Sequence, residues 1–273
     1  MFFVTLLFMA RSQVSIKSER KMECCTSTAI RVENVSTTYE GERRPAIRDV
    51  NLTLHRNELV YVVGPNAAGK TTLLETINGL QPVSKGKVFV FGFEVSKFGS
   101  AVRREIGYVP QDFMVGSLEP FTALDVVMMG RYGKIGVLRR PEEVDFEKAI
   151  EAMKSLGIED LADRPVGKLS GGQQQKVMIS RALAKEPKVL LLDEPFSNLD
   201  PKSRQEVPAH IGRLHEERKM TTIVVTHDVR QIPSECRRVV VMNSGRIVAD
   251  ERPERALAIL EGYTSLHKAE AVQ

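Results

Sequence analysis

Gly64-Pro65-Asn66-Ala67-Ala68-Gly69-Lys70-Thr71-Thr72 is the stretch on which the reading of this 273-residue chain turns. It has the form G-x-x-x-x-G-K-[ST]. Just before it, Leu59 to Val63 is an apolar, β-branched run short enough to be a buried strand. Just after it, Leu73, Leu74, Ile77 and Leu80 recur at three- and four-residue spacing, which predicts a helix from Lys70 with one face against the sheet. In a strand, loop, helix context such a loop wraps phosphate. Its backbone N–H groups and the helix N-terminus attract anionic oxygens, and glycine lets the main chain approach them without a Cβ collision. Gly64, Pro65, Asn66, Ala67, Ala68, Gly69, Lys70, Thr71 and Thr72 are therefore candidate nucleotide-binding residues. Lys70 is expected to reach the β and γ phosphates and the Thr71 hydroxyl to ligate Mg²⁺. The loop alone does not choose ATP over GTP.

Farther along, Lys188-Val189-Leu190-Leu191-Leu192-Asp193-Glu194 reads as a central parallel strand that delivers two carboxylates at its end, where ligands gather in such sheets. Asp193 is expected to hold Mg²⁺ directly or through water, and Glu194 to polarise the attacking water as general base. On their own these could be two solvated turn acids. The phosphate loop in the same chain favours the catalytic reading. Val50, Leu52 and Leu54 alternate with Asn51, Thr53 and His55 as in a half-buried strand.

Composition bounds the rest. A chain of 273 residues can bury one sizeable core with a modest appendage. Its formal charge of +4 is spread along the chain, so it does not argue for nucleic acid. Cys24, Cys25 and Cys236 lack paired spacing, which supports neither a zinc site nor a disulfide framework and fits a reducing compartment. The apolar run Met1–Ala10 is far short of the roughly 20 residues of a spanning helix, and no A-x-A-like cleavage site follows it. Residues 1–28 are expected to be a disordered or mis-started extension, with Met22 an alternative start.

Leu169-Ser170-Gly171-Gly172-Gln173 matches the signature peptide of the ATP-binding cassette family. The other landmarks follow in that family's order: Tyr39, the phosphate loop, Gln111 after Tyr108-Val109-Pro110, Ser197-Asn198-Leu199-Asp200, and His227 after an apolar strand. The chain thus resembles this family over residues 29–262, leaving 263–273 as a tail. The resemblance implies an α/β fold: a P-loop NTPase (RecA-like) parallel-sheet core, an antiparallel β subdomain and an inserted α-helical signature subdomain at about 112–180. It implies ATPase activity with Tyr39 as adenine platform, Gln111 on Mg²⁺ and the attacking water, and His227 on the γ-phosphate. It also implies a head-to-tail dimer, a homodimer or paired cassette, in which Ser170, Gly171, Gly172 and Gln173 complete the partner's phosphate site and Asp200 links the two sites.

Within the insert, Thr122-Ala123-Leu124-Asp125 predicts a capping box, Pro141 a first helical turn, and Ala149, Ile150, Met153 and Leu156 an apolar stripe ending at Gly157. Met128 and Met129 read as packing rather than metal ligation. Two departures from the family pattern stand out: Ala67 occupies a loop position usually held by glycine, and Pro208 predicts a kink or break in the helix after Asp200. A free-standing single cassette resembles importer motors peripheral to the cytoplasmic face of the cell membrane. Such motors work with integral-membrane permease subunits and an extracytoplasmic substrate-binding protein. An export motor with separate membrane subunits and a non-transport cassette are the alternatives. The stretch Asp125–Gly133 with Leu138–Pro141 resembles zinc and manganese importer cassettes and, less closely, those for metal chelates.

Overall fold

The computed structural model describes residues 27–111, 120–136, 139–196, 199 and 201–270, with the side chains of 201–203, 205 and 264–270 left aside. Strand β1 (Thr28–Thr37) pairs antiparallel with β2 (Ile47–His55) and with β4 (Lys85–Val90). Short β5 (Phe93–Glu94) closes this sheet in the order β2-β1-β4-β5. The alternation read in residues 50–55 is observed: Val50, Leu52 and Leu54 are buried, and the residues between them are exposed.

A second sheet contains β3 (Leu59–Val63), β6 (Ile106–Val109), β7 (Val189–Asp193), β8 (Thr221–Thr226), β9 (Arg238–Asn243) and β10 (Arg246–Glu251), in the order β10-β9-β3-β8-β7-β6. All its pairings are parallel except β9 with β10. Strands β3, β7 and β8 are buried along their whole length because apolar layers cover both faces. Successive side chains of one strand feed opposite layers. Tyr61, Leu190, Leu192 and Val224 enter a core shared with the insert, whereas Val60, Val62, Leu191 and Val225 enter one shared with the antiparallel sheet.

Helix α1 (Lys70–Asn78) follows the phosphate loop and buries Leu73, Leu74 and Ile77 as the spacing predicts. Leu80 departs from that expectation: Gly79 ends the helix in a left-handed turn, and Leu80, beyond it, is 54% exposed. Helix α2 (Val95–Glu105) leads into β6. Between β6 and β7 come α3 (Ala123–Ile135), α4 (Glu143–Lys154) and α5 (Gly171–Ala184). The Thr122–Asp125 capping box is formed, with Asp125 N–H on Thr122 Oγ1 at 3.1 Å and Thr122 N–H on Asp125 Oδ2 at 2.8 Å. Ala149, Met153 and Leu156 are fully buried, with Ile150 packed against them. Pro141 lies outside the helical turn predicted for it, since Glu142 caps α4 and the helix starts at Glu143. Buried Arg131 on α3 donates to Asp145 on α4 and to the Ala184 carbonyl at the end of α5, so the three helices share one charged clasp.

Helix α6 (Pro201–Arg218) precedes β8, and α7 (Pro253–Glu270) follows β10. Of the kink or break expected at Pro208, the break is absent: α6 runs across it, held by Val207, Ile211 and Leu214 in the core. Packing of that face outweighs one missing N–H donor.

Candidate active site

Parallel topology decides where the chemistry collects. The carboxyl ends of β3, β6, β7 and β8 lie along one edge of the sheet, and each ends on a residue singled out from the sequence. The phosphate loop leaves β3, Gln111 follows β6, Asp193 and Glu194 end β7, and His227 follows β8. The loop, Gln111, Glu194 and His227 border a cleft of about 580 Å³ lined by Tyr39, Glu42, Ala46, residues 66–72, Gln111, Glu194 and His227, with Asp193 buried behind it.

The loop is clamped from behind. A Cβ at Gly64 would lie 2.1 Å from the Met242 carbonyl oxygen on β9, and Gly69 adopts φ +93° with Ala46 and Ile47 against it, so neither position has room for a side chain. Ala67 takes φ +60°, a left-handed conformation that costs an L-residue about 1–2 kcal/mol. Its departure from glycine is therefore accommodated, at a backbone strain. Lys70 lies 7% exposed at the floor of the cleft, and its Nζ donates to the carbonyls of Gly64 at 3.0 Å and Pro65 at 2.9 Å. Burial lowers its pKa against the opposing pull of Glu194 and Asp193.

Glu194 is 7% exposed and stands 3.9 Å from the Lys70 ammonium. Its backbone is left-handed, φ +47°, while its N–H continues the sheet to the Val225 carbonyl at 3.0 Å. Such a strained, over-determined residue at a strand end holds its carboxylate in one place. His227 Nδ1 is hydrogen-bonded to Glu194 Oε2 at 2.8 Å. Asp193 beside it is fully buried, and both its carboxylate oxygens lack a hydrogen-bond partner among the described residues. The Thr71 hydroxyl faces it without closing a full hydrogen bond, and burial raises its pKa to about 6. An orphaned buried carboxylate next to a hydroxyl is the donor set of a hard divalent cation, so these residues fit Mg²⁺.

At the outer end of the cleft, Tyr39 hydrogen-bonds Thr72 Oγ1 and donates to Glu75 Oε2, both at 2.9 Å. Burial, then the Glu75 and Glu42 carboxylates, raise the phenol's pKa, while the Thr72 bond lowers it. Sequence reading missed three of these partners. Glu75 sits one helical turn beyond Thr72, a spacing that was legible, whereas Glu42 and Ala46 reach the cleft only through the fold of their loop.

The signature residues are elsewhere. Ser170 caps α5 in a capping box, its Oγ accepting from Gln173 N–H at 3.3 Å and its N–H donating to Gln173 Oε1 at 3.0 Å. Ser170 and Gly171 are exposed, Gly172 is buried, and none of the four borders the phosphate-loop cleft. Ser197, Asn198 and Asp200 lie outside the described residues. No helix among the described residues is long and apolar enough to cross a membrane.

Comparison with known proteins matches the profile described as ABC transporter to residues 47–197. The manganese transport system ATP-binding protein MntB of Bacillus subtilis (strain 168) is 38% identical over 201 residues, 74% of this chain and 78% of that protein. The zinc transport system ATP-binding protein TroB of Treponema pallidum (strain Nichols) is 36% identical over 82% of both chains. The sulfate/thiosulfate import ATP-binding protein CysA of Pseudomonas aeruginosa is 40% identical over 80% of this chain and 65% of its own length. Among solved structures, a dimeric ATP-binding cassette in a post-hydrolysis state with ADP and Pi superposes with a TM-score of 0.72 at 30% identity, covering 82% of this chain and 98% of that one.

Proposed function

The chain belongs to the ABC transporter family, and on that premise we propose that two copies close head to tail around two ATP molecules and power an importer. The observation that carries this reading is the split geometry. Lys70, Asp193, Glu194 and His227 converge on one loop, while the exposed Ser170 end of α5 lies outside that cleft.

Lys70 would release its two loop carbonyls and take β- and γ-phosphate oxygens in their place. Gly64 to Thr72 would enclose the phosphates with backbone N–H groups. Asp193, Thr71 and Gln111 would hold Mg²⁺, which when bound neutralises phosphate charge. Glu194 would accept the proton of the attacking water, and His227, at 55% side-chain exposure against 7% for Glu194, would steady that carboxylate while reaching the γ-phosphate. Tyr39 would stack on adenine. Ser170, Gly171, Gly172 and Gln173 would offer a helix N-terminus to the partner copy's γ-phosphate, with Asp200 linking the sites.

The remaining parts of the proposal concern the surroundings. The cassette would sit peripherally on the cytoplasmic face of the cell membrane, docked to integral-membrane permease subunits and served by an extracytoplasmic substrate-binding protein. Manganese or zinc is the proposed cargo, supported by the MntB and TroB relatives and by the Asp125–Gly133 stretch. The 40% identity to CysA supports a sulfate importer as the second reading. Uptake of radioactive manganese, zinc and sulfate by cells deleted for this chain tests both. Loss of metal uptake, restored by the wild-type chain and not by Lys70→Ala, is expected; loss of sulfate uptake alone overturns the metal assignment.

A further inference from the structure

The outer end of the cleft contains a carboxylate that the proposed chemistry does not use. Tyr39, Glu40, Gly41 and Glu42 form a tight turn, with Glu42 N–H on the Tyr39 carbonyl at 3.1 Å and Gly41 at φ +82° in its third position. That conformation places Glu42 beside Tyr39 and on the cleft wall, as its lining and its electrostatic effect on the Tyr39 phenol both require. The Glu42 carboxylate has no hydrogen bond or ion pair among the described residues, whereas the Tyr39 hydroxyl is committed to Thr72 and Glu75. The phenol is thereby pinned and has no free edge for reading a base, which leaves Glu42 as the acidic group at that end. Lys70, Glu194, His227 and Gln111 line the same cleft, and under the proposed function they take the phosphates while Tyr39 takes the base.

We infer that Glu42 reads the base: its carboxylate accepts a hydrogen bond from the 6-amino group of a purine stacked on Tyr39 and repels a 6-oxo group. This inference rests on the placement of adenine at Tyr39 under the proposed function. A carboxylate is acceptor-only when ionised, so it pairs with the 6-amino group of adenine and faces lone pair to lone pair the 6-oxygen of hypoxanthine. Purine riboside triphosphate, with hydrogen at position 6, removes the donor without adding the repulsion. The phosphate loop is indifferent to the base, and Glu42 supplies the choice of ATP that the loop lacks.

The test is equilibrium competition by ATP, inosine triphosphate and purine riboside triphosphate against a fluorescent ATP analogue, on the full-length wild-type, Glu42→Ala and Tyr39→Ala chains. The wild-type chain is expected to prefer ATP over inosine triphosphate by about tenfold or more, the scale of a charge-assisted hydrogen bond. Purine riboside triphosphate should fall between them. In Glu42→Ala the three affinities should converge to within about twofold. Glu42 is exposed and its substitution leaves the core intact, which circular dichroism checks. An unchanged ATP-to-inosine preference in folded Glu42→Ala overturns the inference. Tyr39→Ala separates this failure from failure of the base placement: it weakens all three nucleotides if the ring carries the base, and leaves them unchanged if that placement is wrong.

Discussion

The cluster at the end of β7 and the N-terminus of α5 are assigned to one reaction, yet they share little physical character. Around Glu194 the groups are already in contact, and all but the exposed His227 are buried: an ammonium at 3.9 Å, an imidazole at 2.8 Å, and an unpartnered carboxylate next door. Around Ser170 there is an exposed helix end whose capping hydrogen bonds run to its own Gln173. The first region is assembled by the chain's own core. The second has partial positive charge from the helix dipole and lies outside the cleft of its own chain, the contrast on which the proposed pairing with a second copy rests.

The sharpest way to break this contrast is to disable the self-assembled side. Glu194→Gln should keep ATP binding and lower phosphate release by about 10²–10⁴-fold, the range for a positioned proton acceptor. Turnover at the wild-type rate in a transporter-coupled assay would remove Glu194 from that role. The other side is tested by complementation. Lys70→Ala and Ser170→Arg chains should each be inactive alone, yet recover roughly a quarter of the wild-type rate when mixed. Random pairing makes half the dimers mixed, each with one intact site. Defects that persist at every mixing ratio would place the signature in its own chain's site.

Asp193 sharpens the comparison energetically. Its carboxyl is raised to about 6 in the fold, against about 3.9 unfolded. The folded chain therefore holds this proton more tightly. The cost of ionising it is absent below about pH 4, develops between about pH 4 and 6, and is fully present above. In EDTA, Asp193→Asn should stabilise the chain by about 3 kcal/mol at pH 8 and about half of that at pH 5 in urea unfolding. A difference independent of pH would show that Asp193 is not the buried acid. The smallest effect belongs to the loop between the regions. Ala67→Gly removes a left-handed L-residue but loosens the unfolded chain, so a net gain of about 0.5–1 kcal/mol is expected by thermal unfolding.

Much of this was legible in the residues themselves. The strand, loop and helix around Lys70, the buried strand ending at Asp193, the Thr122 capping box and the apolar stripe of α4 are local patterns, in which side-chain period and hydrogen-bonding groups a few positions apart decide the outcome. Leu80 was misread because a helix stop outweighed the local signal, and Pro208 does not break α6 because a packed face holds the helix. Tertiary structure alone decided that Gln111, Glu194 and His227, scattered over more than a hundred residues, share one cleft, since only the parallel register of β6, β7, β8 and β3 brings their ends together. It also decided that Glu42 lines that cleft and that Ser170 stands outside it. Neither position has a sequence period to announce it, because each depends on how a turn or a whole helix is seated against the rest of the molecule.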